Sequence, residues 1–66
     1  MKYTTNLKQI RKNKGLTQEE VARRAEIAFS TYVYIEQGKS KPNIITALRI
    51  AKALNENLDR LFLLIH

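Results

Sequence analysis

The chain has 66 residues and no cysteine, and its 12 Lys and Arg against 6 Asp and Glu give a formal charge of +6. Residues 1–66 therefore make one small domain near the lower limit of what folds without staples, and the missing thiols exclude disulfides and thiolate metal sites. So much positive charge on so small a surface would draw in a polyanion, although solubility alone can account for such an excess.

The N-terminus has no apolar run of signal-peptide length, and the longest apolar run, Leu61 to Ile65, is far too short to span a bilayer. A cytoplasmic protein with no membrane partner is expected. Residues 1 to 4 precede the first periodic segment, and Met1, Lys2 and Tyr3 read as a frayed arm or a short edge strand. From about Thr5 to Lys14 the spacing predicts a helix, with Leu7 and Ile10 on one face and Thr5 or Asn6 as its cap. Gly15 follows a lysine-rich last turn, where a left-handed residue ends a helix at little cost.

Thr17 with Glu20 three residues on makes a capping box for a second helix, Gln18 to Arg24, whose buried face is Val21, Ala22 and Ala25. A turn plugged by Ile27 leads to a third helix, Ala28 to Gly38. There Ala28, Tyr32 and Ile35 share one face, assigned to the core. Phe29, Ser30, Val33, Tyr34 and Gln37 point the other way. The exposed apolar side chains Phe29 and Val33 suggest a contact surface, unless a core or dimer seam takes them. The basic loop Lys39-Ser40-Lys41-Pro42 precedes Asn43, a good N-cap for a fourth helix from Ile44 to about Leu54. Its predicted buried stripe is Ile44, Ala47, Leu48, Ala51 and Leu54, with Ile45 partly exposed or at an interface. A fifth short helix, Leu58 to about Phe62, points Leu58, Leu61 and Phe62 inward. The end, Leu63-Leu64-Ile65-His66, is more apolar than a solvated terminus should be. The fold class expected is all-α, five short helices with room for a short terminal strand.

The order of these pieces is similar to one family. The segments Gly15-Leu16-Thr17-Gln18-Glu19-Glu20-Val21-Ala22, Tyr32 to Gly38, and Ile50-Ala51-Lys52-Ala53-Leu54 followed by Leu58-Asp59 resemble the XRE family of helix-turn-helix domains, the lambda-repressor-like and Cro-like DNA-binding proteins, over about Leu7 to Phe62. The resemblance implies that the second helix lies across the major groove of a double-stranded DNA operator and that the third enters it. It makes Phe29, Ser30, Val33 and Tyr34 the base-facing residues. Phe29 and Val33 can pack on thymine methyls, while Ser30 and Tyr34 can hydrogen-bond. None of the four is a bidentate reader, unlike the Gln, Arg or Asn that family members often carry, so a T-rich half-site or indirect readout is expected.

Phosphate contacts are implied for Thr17 and Gln18 and, after the third helix, for Gln37, Lys39, Ser40, Lys41 and Asn43. Free helix amides and lysine charges are the physical means. Arg11 and Glu36 match positions that pair in some phage repressor domains. Ala28 departs from the usual Ser or Thr cap, a loss of about 1 kcal/mol.

The reading that follows is a homodimeric transcriptional repressor, with Ile45, Leu63, Leu64 and Ile65 at the dimer interface. The C-terminal residues could pair as a strand with residues 1 to 4 or with the partner chain. An antitoxin-type or other protein-interaction module with secondary DNA binding is the alternative, and a relic of the fold that binds only protein is a third. His66 reads as a bystander. No catalytic set, carboxylate pair, metal-ligand cluster or phosphate loop is legible, so no enzymatic activity, cofactor or small-molecule ligand is expected.

Overall fold

A computed structural model describes residues 2–65, apart from the side chain of Lys2. The alternatives for Met1 and the reading of His66 lie outside the described residues. Within them the chain runs β1 (Lys2–Thr5), α1 (Leu7–Asn13), α2 (Gln18–Ala25), α3 (Phe29–Glu36), α4 (Ile44–Leu54), α5 (Leu58–Leu61) and β2 (Phe62–Ile65). No helix among the described residues is long and apolar enough to cross a membrane.

The five helices follow the predicted order, but several boundaries move. Thr5 belongs to β1, and α1 begins without a side-chain cap, so neither Thr5 nor Asn6 caps it as expected. Main chain anchors that start instead, because the Asn6 N–H donates to the Leu61 carbonyl at 2.9 Å. The capping box of α2 is complete: the Glu20 N–H donates to the Thr17 hydroxyl at 3.1 Å and the Thr17 N–H to the Glu20 carboxylate at 3.0 Å. Asn43 caps α4 by accepting the Thr46 N–H at 2.8 Å.

Four helices stop in one way. After α1 the Leu16 N–H reaches back to the Arg11 carbonyl and the Gly15 N–H to that of Lys12; Ile27 and Glu26, Lys39 and Gly38, and Glu56 and Asn55 repeat the pair. This paired bonding needs a left-handed residue just past each helix. Gly15 and Gly38 supply it without strain, whereas Glu26 (φ 58°) and Asn55 (φ 54°) adopt it against their own Cβ.

The core joins Leu7 and Ile10 of α1, Val21, Ala22 and Ala25 of α2, Tyr32 and Ile35 of α3, Ile50, Ala51 and Leu54 of α4, and Leu61 of α5. Small residues on α2 let both α3 and α4 pack close to it. Two sequence expectations fail here. Ala28 is exposed rather than buried, since it is the extended residue before the first turn and does not share the helical face of Tyr32 and Ile35. On α4 the buried stripe is Ala47, Ile50, Ala51 and Leu54, leaving Ile44 and Leu48 exposed at 62% and 49%. Both stripes have helical spacing. The buried one faces α2, and the start of α4 projects beyond the core.

Phe62 opens β2 rather than closing α5, and packs half-buried against the core. β2 pairs antiparallel with β1 in the register Tyr3↔Leu64, Thr5↔Phe62, so the C-terminal segment pairs within its own chain. Alternation then puts Tyr3, Thr5, Phe62 and Leu64 on one face of the ribbon and Leu63 and Ile65 on the other. Tyr3 and Phe62 meet with ring centroids 6.3 Å apart.

Candidate nucleic-acid interface

α3 is held from below and presented above. Tyr32 and Ile35 are buried, while Phe29 and Tyr34 are 48% and 53% exposed, Ser30 is exposed and Val33 half-buried. Thr31, absent from the sequence expectation, is exposed as well. The face predicted to contact bases is thus one surface of apolar, aromatic and hydroxyl groups. Neither Ala28 nor any other side chain caps its first turn.

Beneath this surface the Glu36 carboxylate collects four hydrogen bonds. Arg11 donates from Nε to Oε1 at 2.7 Å and from Nη2 to Oε2 at 3.3 Å; Gln18 Nε2 donates to Oε2 at 2.7 Å, and the Tyr32 hydroxyl to Oε1 at 2.9 Å. Arg11 also donates from Nη1 to the Leu16 carbonyl at 2.9 Å. One carboxylate therefore ties α1, the start of α2 and the end of α3 together. Burial pushes the Glu36 carboxyl up, but the hydrogen bonds from Arg11, Gln18 and Tyr32 outweigh it and hold the group below the usual carboxylate range. The hydrogen bond to Glu36 raises the Arg11 guanidinium, and burial followed by the same carboxylate raises the Tyr32 phenol. No buried side-chain polar atom among the described residues lacks a partner.

The residues predicted to meet phosphates divide into committed and available groups. The Thr17 hydroxyl accepts the Glu20 N–H, which leaves its own proton to donate outward. Gln18 gives one amide proton to Glu36, which leaves its second proton to donate outward, and the Asn43 carbonyl oxygen accepts its cap bond. Gln37, Lys39, Ser40 and Lys41 are exposed. Their loop is tied down by main chain, with the Lys39 and Ser40 N–H groups on the Tyr34 carbonyl at 2.9 and 3.3 Å. The ribbon holds it too: the Tyr3 hydroxyl donates to the Ser40 carbonyl at 3.2 Å and the Thr5 hydroxyl to the Glu36 carbonyl at 3.3 Å.

Two concavities stand out, one beside the end of α3 and one away from it. A polar cleft of about 470 Å³ is lined by Lys8, Arg11, Lys12, Gln18, Glu36 and Gln37. Sequence reasoning does not single out Lys8 and Lys12, although their four-residue spacing puts them on one side of α1. A larger apolar groove of about 890 Å³ lies between the ribbon and the starts of α4 and α5, with Tyr3, Ile44, Leu58, Phe62 and Leu64 on its walls and Lys41 at its rim. The predicted dimer residues are not brought into one patch: Leu64 lines this groove with Ile44, whereas Leu63 and Ile65 occupy the opposite ribbon face. Ile45 is exposed beside Ile44 and Leu48. No three His, Cys, Asp or Glu among the described residues are grouped so as to hold a metal.

A helix-turn-helix family profile matches residues 7–61, from the first residue of α1 to the last of α5. An HTH-type transcriptional regulator of Methanothermobacter thermautotrophicus is 41% identical over 61 residues, covering 91% of this chain and 88% of the relative. One from Archaeoglobus fulgidus is 34% identical over 59 residues, covering 89% and 84%. Among solved structures, the restriction-modification controller protein C.AhdI from Aeromonas hydrophila superposes with a TM-score of 0.78 at 28% identity, over 82% of each chain. With the capped α2, the buried Tyr32 and Ile35 and the outward face of α3, these matches show that the chain belongs to the XRE-type helix-turn-helix family of DNA-binding transcriptional regulators.

Proposed function

We propose that the protein is a sequence-specific, homodimeric transcriptional repressor that inserts α3 into the major groove of double-stranded operator DNA. The observation that carries this reading is the exposed, uncharged face of α3 held over the hydrogen-bonded Glu36 network. Phe29 and Val33 pack on thymine methyls, and Ser30 and Tyr34 hydrogen-bond to base edges or phosphates. Thr17, Gln37, Lys39, Ser40 and Lys41 contact the backbone, Gln18 positions α3 through Glu36, and Asn43 contributes as the cap of α4 with its amide protons left for phosphate.

The spacing of successive major grooves favours a two-fold dimer. Recognition helices about 34 Å apart meet successive major grooves, and the apolar groove with Ile44 and Leu64 offers surface that a second copy can cover. Repression follows when the bound dimer occludes the DNA it covers.

Selection of bound duplexes from a randomised library tests the reading. The expected winners carry two T-rich half-sites about 10 base pairs apart centre to centre. Strong G preference opposite α3, or enrichment of single half-sites, would overturn the assigned base contacts or the dimer respectively.

A further inference from the structure

The polar cleft beside α3 has a chemistry that the reading surface lacks. We infer that this cleft is a phosphodiester-binding notch, in which Lys8 and Lys12 of α1 grip a backbone phosphate of the DNA whose bases α3 meets. The inference rests on the duplex-DNA reading above.

Lys8 and Lys12 stand one helical turn apart on the same side of α1, and both are exposed. Neither is paired with a carboxylate among the described residues, in contrast to Lys14, which reaches Glu56 at 3.4 Å. The remaining charges in the cleft cancel: Glu36 is matched by Arg11 at 2.7 Å. Two positive charges are left over at the mouth of a concavity, without an internal partner.

The cleft also lies beside the outward face of α3. The cleft is walled by Gln18, the first residue of α2, and by Gln37, which follows α3. Gln37 keeps helical backbone angles, so Ser30, Val33, Tyr34 and Gln37 run along one edge of α3 at i, i+3, i+4 and i+7. A phosphate in the cleft therefore lies at the end of the reading edge. The Gln18 amide is already fixed by Glu36, so the cleft wall is ordered before DNA arrives. Such a phosphate grip would set how far α3 slides along the groove, a role that a reading face without charge cannot fill.

The test is the salt dependence of duplex binding by the full chain, measured for Lys8→Ala/Lys12→Ala, for Lys8→Arg/Lys12→Arg, and for a charge-matched Arg23→Ala/Arg24→Ala control. Arg23 and Arg24 are exposed at the opposite end of α2 from Gln18. The slope of log K against log salt should become shallower by about 0.9 for each phosphate that the alanine pair no longer neutralises, and should persist in the arginine pair. Affinity should fall alike for all sequences, leaving the ratio of specific to non-specific binding nearly unchanged. Circular dichroism melts confirm that each variant folds. A slope for the alanine pair no shallower than that of the control, or one that the arginine pair fails to keep, overturns the notch while leaving DNA binding intact. Absence of wild-type duplex binding at low salt overturns the DNA reading itself.

Discussion

The region under α3 and the region between the ribbon and α4 solve opposite problems. Under α3 a buried carboxylate has all its bonds made by donors from three elements, and its side chain is only 4% exposed. Between the ribbon and α4, Ile44 and Leu64 are apolar and uncovered, and the side chains around them form an open groove. Polar groups of fixed direction hold α3 at one angle, which nondirectional burial cannot do. The apolar region has surface to bury and little to dictate orientation. In the proposed complex, directional bonding lies behind the face that meets DNA, and the uncovered apolar surface is left for association.

Removing the polar network should have the largest effect. Glu36→Ala leaves Arg11 buried without its counter-charge and strips a partner from Gln18 and Tyr32, so it should destabilise the fold by about 3 to 5 kcal/mol. At about 4 to 8 °C per kcal/mol for a domain of this size, the melting midpoint followed by circular dichroism should fall by more than about 12 °C. A loss under about 1 kcal/mol would mean that the network is dispensable. On the apolar side Leu64→Glu should behave oppositely. Leu64 is mostly exposed, so monomer stability should change by less than about 0.5 kcal/mol. Sedimentation should show dimerisation weakened by about 30-fold or more, the equivalent of about 2 kcal/mol of lost burial. Unchanged association would rule out Leu64 as part of the seam of the proposed dimer.

Acid sharpens the contrast without a mutation. Because the folded Glu36 carboxyl titrates below its unfolded value, its contribution is complete above the ordinary carboxylate pKa of about 4.3 and is lost as pH falls through the depressed folded value. Urea unfolding of the wild-type chain should therefore show stability declining below about pH 4. Glu36→Gln, which has nothing to titrate there, should show a shallower decline. Equal slopes would assign acid sensitivity to other carboxylates.

The sequence makes some of this architecture legible and hides the rest for identifiable reasons. Thr17 with Glu20, Asn43 before Ile44, and Gly15 and Gly38 are local signals, because each acts within four residues of itself. The pairing of Arg11 with Glu36 is legible only through resemblance, since nothing in either neighbourhood points to the other. Gln18 as a donor to that carboxylate is a tertiary fact across 18 positions. The register of α4 is ambiguous in principle: Ile44, Leu48 and Ala51 have the same helical spacing as Ala47, Ala51 and Leu54. Only the small face of α2 decides between them. Lys8 and Lys12 carry no motif and gain meaning from the cleft that α2 and α3 build beside them.

The smallest effect expected concerns the helix ends, where local and tertiary demands meet. α1 and α3 end on glycine, but α2 ends on Glu26 at φ 58°, a conformation its Cβ makes costly. Glu26 is exposed and makes no ion pair among the described residues, so its side chain returns nothing for that strain. Glu26→Gly should relieve the strain while giving the unfolded chain more freedom, two effects of opposite sign. The left-handed penalty is the larger, so a net gain of about 0.5 to 1 kcal/mol is expected, read as an increase of about 2 to 8 °C in melting midpoint. A fall instead would show that the acidic side chain interacts with the charges around it, with Arg23 and Arg24 close by in the chain. In that case the turn between α2 and α3 is held by electrostatics as well as by the paired main-chain bonds to Ala22 and Arg23.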